Sequence, residues 1–192
     1  MKDWQFYPLL IAAVVALVAF AYTRGHDDVG LAGPDFVVEG ETLNTFYAAQ
    51  GVSFSIAGDA ANPNAYAVLS AHVSRKQAPP SAGVFLTLPR VYKERYAGQP
   101  INVMVTARKG RASKLKSFDI AYLSTDAGSS GWQTFTLTND FETYSFLFTP
   151  GQPSGADGTD FVGIWPDVDG EERTVEVKAI SIEILPNATQ NQ

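Results

Sequence analysis

Between residues 35 and 186 apolar side chains recur at every second position in short runs, and clusters of Gly, Pro, Asn, Asp and Ser separate the runs. A period of two puts alternate residues on opposite faces of a strand, so each run predicts a strand with one dry face and one wet face. The clearest early runs are "VSFSIAG" (52–58), "AYAVLSAHVS" (65–74), "AGVFLTL" (82–88), "INVMVTARK" (101–109) and "SFDIAYLST" (117–125). The later ones are "WQTFTLT" (132–138), "ETYSFLFT" (142–149), "DFVGIWP" (160–166) and "TVEVKAISIEIL" (174–185). No helical period of any length runs through this range. Two segments break the alternation, "GETLNTFYAAQG" (40–51) and "PRVYKERYAGQP" (89–100), and each has room for one or two helical turns. Many short strands without crossover helices predict an all-β, antiparallel sandwich.

The alternation also assigns faces. Ile101, Val103, Val105 and Ala107 point one way, and Asn102, Met104, Thr106 and Arg108 the other. Tyr144, Phe146 and Phe148 share a face that reads as core. In the 132–138 run the core face carries Phe135 and Leu137, so Trp132 projects with the hydroxyls of Thr134, Thr136 and Thr138. The last run changes phase between Val175 and Val177 and the set Ile180, Ile182, Ile184, which calls for a β-bulge near Lys178 and Ala179.

The N-terminus follows another rule. From Trp4 to Tyr22 the sequence "WQFYPLLIAAVVALVAFAY" holds no charge, and as a helix it would just span a hydrocarbon core of roughly 30 Å. Trp4, Tyr7 and Tyr22 lie near its ends, where amphipathic rings favour the interface. The reading is a single transmembrane helix ahead of the sandwich. Cleavage of a signal peptide after Ala21, at Ala19-Phe20-Ala21, is the competing reading. The organisation expected is therefore an anchor over residues 1–23, a linker over 24–34, a sandwich domain over 35–186 and a frayed tail over 187–192. Such a protein would sit in the inner (cytoplasmic) membrane as a single-pass chain, its C-terminal domain on the periplasmic or extracellular side.

Composition narrows the function. The net charge of −6 argues against a nucleic-acid partner, which favours a basic face. With no cysteine, disulfides, thiolate metal sites and cysteine nucleophiles are excluded. The two histidines, His26 and His72, stand apart, and neither a nucleophile elbow nor a phosphate-cradling glycine loop occurs, so the chain does not read as an enzyme.

Three stretches, "YAGQPINVMVTARKG", "GWQTFTLTNDFETYSFLFTP" and "DFVGIWPDVDGEERTVEVKAISIEIL", resemble the second half of jelly-roll carbohydrate-binding modules, within the broader galactose-binding-like sandwiches. The resemblance covers roughly residues 35–185 and is best over 96–185. It implies a jelly roll and a polysaccharide or other glycan as partner. It also implies a possible structural calcium ion, for which Asp35, Glu39 and Glu183 are the available carboxylates. The chain departs from the pattern in two ways: no catalytic domain accompanies the module, and the last strand carries only Glu183 where an acidic pair is usual.

Sugars are held by aromatic faces against C–H surfaces, with amides, carboxylates and arginine bonding the hydroxyls. The candidate binding residues are Trp132, Trp165, Tyr122 and Arg108, each with a structural role in a core or at a strand end as the alternative. "RKGRASKLK" (108–116) places five basic residues in nine around a glycine, fitting either a solvated hairpin or contact with an acidic polysaccharide or lipid headgroup. "PDVDGEE" (166–172) lacks the spacing of a calcium loop and reads as an acidic turn. The first functional reading is a membrane-tethered module that binds an envelope or extracellular glycan. The second is an accessory subunit of a larger membrane complex, with the bilayer contacted through Trp4–Tyr22 and Ala12, Ala13, Ala16 and Ala19 offering a helix-packing face.

Overall fold

The computed structural model describes residues 36–58, 64–111, 113–155 and 158–185. They form two antiparallel layers. The larger sheet contains β1 (Phe36–Glu39), β3 (Val52–Ala57), β4 (Tyr66–Ala71), β6 (Ile101–Lys109), β9 (Glu142–Phe148) and β11 (Thr174–Ile184), in the order β3-β4-β11-β6-β9, with β1 also pairing β11. The second layer is built from β10 (Asp160–Trp165), β7 (Ser117–Ser124) and β8 (Gln133–Thr136) in that order, and from the pair β2 (Tyr47–Ala48) and β5 (Val84–Thr87). A bridge between Gly83 and Ile164, and a hydrogen bond from Leu88 N–H to the Asp160 carbonyl at 2.9 Å, bring β5 alongside β10.

Strand alternation becomes the core directly. Ile101, Val103, Val105 and Ala107 of β6 are fully buried, facing Phe118, Ile120 and Tyr122 of β7 across the sandwich. A one-residue slip of β6 would turn that set to water, at about 1.5–3 kcal/mol for each of the three large side chains. Tyr144 and Phe148 of β9 reach the same interior, with ring centroids 5.2 Å from Phe118 and 5.3 Å from Tyr122 respectively. The phase change in β11 is a bulge: the register against β6 shifts between Val177 and Ala179. That shift lets Val175, Val177, Ile180 and Ile182 all be buried.

The two interrupted segments are short helices. Gly40–Thr45 is a 3-10 turn, and α1 (Arg90–Tyr96) starts directly after Pro89. α1 buries Tyr92 and Tyr96, and Tyr92 packs edge-on against Phe36 at 4.9 Å. The pattern did not announce β1 or β2, which are four and two residues long.

The expected membrane placement is corrected. Among the described residues no helix is long and apolar enough to cross a membrane. The run between Trp4 and Tyr22 on which the transmembrane helix and the single-pass localisation rested lies outside the described residues.

Candidate functional site

In the second layer Phe118, Ile120 and Tyr122 of β7 point into the sandwich, so Asp119, Ala121 and Leu123 point outward. The register of β7 with β10 places Trp165, Gly163 and Phe161 beside those three on the same outer face. β8 adds Thr134 opposite Asp119, and β2 and β5 add Tyr47 opposite Phe85.

An aromatic row therefore crosses the outside of this layer. Tyr47 is 60% exposed and stacks on Phe85 with centroids 5.7 Å apart. Phe85 meets Phe161 edge-on at 5.4 Å, and Phe161 pairs in register with Leu123. Two residues further along β10, Gly163 is bare: a Cβ there would lie 2.5 Å from the Ala82 carbonyl oxygen and 3.3 Å from the Trp132 ring. The missing side chain admits the Ala82 backbone first of all and leaves the Trp132 ring lying close to the strand. Trp132, half-buried, rests edge-on against Trp165 at 6.3 Å.

A polar pair stands beside Trp132. Asp119 is fully buried, accepts the Thr134 hydroxyl at 2.6 Å and pairs with Arg75 Nε at 2.9 Å. The Arg75 guanidinium lies 5.6 Å from the Trp132 ring centroid, within range of a cation–π contact. Its Nη groups have no acceptor among the described residues, and its side chain is 35% exposed. A buried carboxylate thus holds a planar fork of donors at the edge of an indole, facing water.

The four sequence candidates separate. Trp132 lies on this face. Trp165 is 1% exposed and is the floor under Trp132, its Nε1–H donating to the Asp167 carbonyl at 3.0 Å. Tyr122 is core: it is fully buried and its hydroxyl donates to Asp160. Burial, followed by that bond, raises the Tyr122 hydroxyl far above the ordinary phenol range. Arg108 belongs to the other sheet. Its guanidinium lies 4.2 Å from the Phe141 ring and 5.4 Å from Tyr66, and its Nε donates to buried Glu176 at 2.7 Å. Alternation alone could not see the difference, because it gives a face without saying what covers that face.

Of the three calcium carboxylates, the two among the described residues lie apart. Glu39 pairs in register with Ala179, four residues along β11 from Glu183, a separation of about 14 Å. Glu183 accepts from the Asn102 amide at 3.3 Å, and Asp35 lies outside the described residues. Among the described residues no three acidic or histidine side chains converge as a hard cation requires.

Tyr47, Phe85, Phe161 and Arg75 were not among the sequence candidates. A signal existed for Phe85, an aromatic on the Thr87 face of a run whose buried face is Val84, Leu86 and Leu88. It is the signal that picked out Trp132, a ring out of phase with the core. Arg75 and Tyr47 carried none.

No family model matches the chain, and no curated protein does. Solved structures do. The chain superposes on the CBM22-1 xylan-binding domain of Paenibacillus barcinonensis Xyn10C with a TM-score of 0.51 at 11% identity, over 80% of this chain and 95% of that one. The CBM22-1–CBM22-2 tandem of the same protein gives 0.55 at 12% identity, over 85% of this chain and 49% of the tandem. The fold is the jelly roll of carbohydrate-binding modules. At these identities the likeness speaks for the fold alone.

Proposed function

We propose that this protein is a non-catalytic glycan-binding module that holds an extended polysaccharide on the outer face of its second layer. The observation that carries the reading is the aromatic row Tyr47–Phe85–Phe161, with Trp132 and a water-facing Arg75 beside it. Apolar side chains on a wet sheet face gain nothing from folding that burial elsewhere would not supply, and here four rings of one face come together. Exposed Tyr47 and half-buried Trp132 offer ring faces to the C–H surfaces of sugars. The Nη groups of Arg75 supply donors for ring oxygens and hydroxyls, the Thr134 oxygen, whose proton goes to Asp119, is left as an acceptor, and Asp119 fixes the fork in place. A structural neighbour is a xylan-binding domain, which makes xylan the first polymer to try.

The test is affinity electrophoresis of the full chain against xylan, other β-linked polysaccharides and starch. Tyr47→Ala and Trp132→Ala are each expected to weaken retention about tenfold, roughly 1.4 kcal/mol for a lost ring platform. Because Tyr47 is mostly exposed, its alanine variant should melt within about 2 °C of the parent. Retention of no glycan by the folded protein, or full retention by both variants, would sink this reading.

A further inference from the structure

Beyond the aromatic face, two neighbouring hollows lie at the end of the sandwich where β7 and β11 begin. The smaller, about 160 Å3, is lined by Leu115, Lys116, Ser117 and Asp167, with Val168 and Arg173. The larger, about 620 Å3, is lined by the cations Arg111, Lys114, Lys116 and Arg173 and by the acids Glu171 and Glu172. Lys116 and Arg173 belong to both.

These hollows continue the aromatic face. Along β10 the outward positions run Phe161, Gly163 and Trp165, and two residues beyond the strand Asp167 lines the smaller hollow. Arg75, which flanks Trp132, donates its backbone N–H at 3.0 Å to the carbonyl of Val168, another lining residue. Along β7 the outward positions from Leu123 to Ser117 cover about 20 Å. A chain lying over Phe161 and Trp132 and extending toward Ser117 therefore arrives at the cleft.

The charges there differ from those of the molecule as a whole. Arg173 is already committed, with Nη2 2.7 Å from Asp167 and a further contact to Asp169, and Glu171 lies 3.5 Å from its Nη1. The side chains of Arg111, Lys114 and Lys116 have no ion-pair or hydrogen-bond partner among the described residues. Three unspent cations thus face a cleft whose remaining free acid is Glu172, on a protein of net charge −6. A local positive patch on an acidic protein selects anions while the remainder of the surface repels them.

Resting on the glycan reading, we infer that the preferred ligand is an acidic polysaccharide, whose carboxylate-bearing units are taken by Arg111, Lys114 and Lys116 in this cleft while its backbone lies on the aromatic face. Lysines grip such carboxylates as point charges, so the contact selects charge more than sugar identity. Its strength falls as salt screens it.

The probes are a glucuronate-substituted xylan and the same xylan after reduction of its carboxyl groups, each titrated calorimetrically into the full chain at low and high salt. The acidic polymer is expected to bind about five- to tenfold more tightly at low salt, with the advantage mostly lost near 1 M salt. The double variant Lys114→Gln/Lys116→Gln should bind both polymers with the affinity the parent shows for the reduced one. These side chains are exposed, so the variant should keep the parental melting temperature. Equal binding of both polymers by the parent, or an undiminished preference in the double variant, overturns the inference and leaves the glycan reading standing. No binding of either polymer overturns the inference, and the wider polysaccharide panel then decides the glycan reading.

Discussion

Replacing Asp167 with alanine is expected to destabilise the protein by about 3 kcal/mol, lowering the melting temperature by roughly 10 °C. The Asp167 side chain is fully buried, and five donors converge on it. The backbone N–H groups of Asp169, Glu171 and Arg173 reach its oxygens at 3.1, 3.0 and 3.1 Å. The Arg173 Nε and Nη2 groups add bonds at 3.0 and 2.7 Å. Removing the carboxylate leaves those donors with water as only a partial replacement, and each costs about 1 kcal/mol or more when unpaired. Arg173 is 23% exposed and can recover some hydration, which keeps the expected loss at the lower end for a broken buried pair. Adding Arg173→Met to Asp167→Ala should restore part of the loss, because the orphaned cation goes with its partner. A melting temperature unchanged in Asp167→Ala would show that the turn is held by its backbone alone.

The same carboxylate gives the protein an acid limit. Burial pushes Asp167 upward, but the Arg173 guanidinium and the N–H groups of Arg173 and Asp169 outweigh it, so its carboxyl is held below the usual range. Asp126 is held low as well, chiefly by the hydrogen bond from Lys93, whose Nζ lies 2.8 Å away. A depressed carboxylate contributes stability that is complete above its unfolded pKa, near 3.9, and is lost as pH falls through the lower folded value. Melting temperature should therefore be level above about pH 5 and fall steeply below about pH 4, with a shallower fall in Asp167→Ala.

The two-layer architecture was legible because alternation is a local property. Strands β3 to β11 announced themselves where they occur, and even the bulge between Val177 and Ala179 showed as a break in phase. β1 and β2 were not legible, since four and two residues carry no period. The candidate site was legible only in part, because it depends on which strands become neighbours. Trp132 stood out as a ring among hydroxyls, but no local pattern reveals that it lies close to Gly163 of another strand or that Arg75 folds back against it. Arg108 shows the converse error. A basic residue on a wet face looked available, yet Tyr66, Phe141 and Glu176 from three other segments enclose it. The "PDVDGEE" stretch is an acidic turn as expected, but the sequence hid that one of its acids turns inward to organise the others.

Trp165→Ala carries the largest expected effect, about 3–5 kcal/mol and a fall in melting temperature of roughly 10–15 °C. The indole is 1% exposed, and the backbone closes over it: a Cβ on Gly83 would lie 3.1 Å from its Cε3 atom. Truncation opens a void that neighbouring strands, fixed by their ladders, are poorly placed to fill. It also removes the surface against which Trp132 rests. Glycan retention should fall in this variant even where it remains folded at low temperature, although Trp165 meets no solvent and touches no ligand. Trp165→Phe separates the two effects. It keeps a ring beneath Trp132 and gives up chiefly the Nε1–H bond to the Asp167 carbonyl, so it should cost about 1–2 kcal/mol and leave glycan affinity near the parental value. If Trp165→Phe lost glycan binding as fully as Trp132→Ala while remaining folded, Trp165 would be a ligand-contacting ring and the packing described for this end of the sandwich would be wrong.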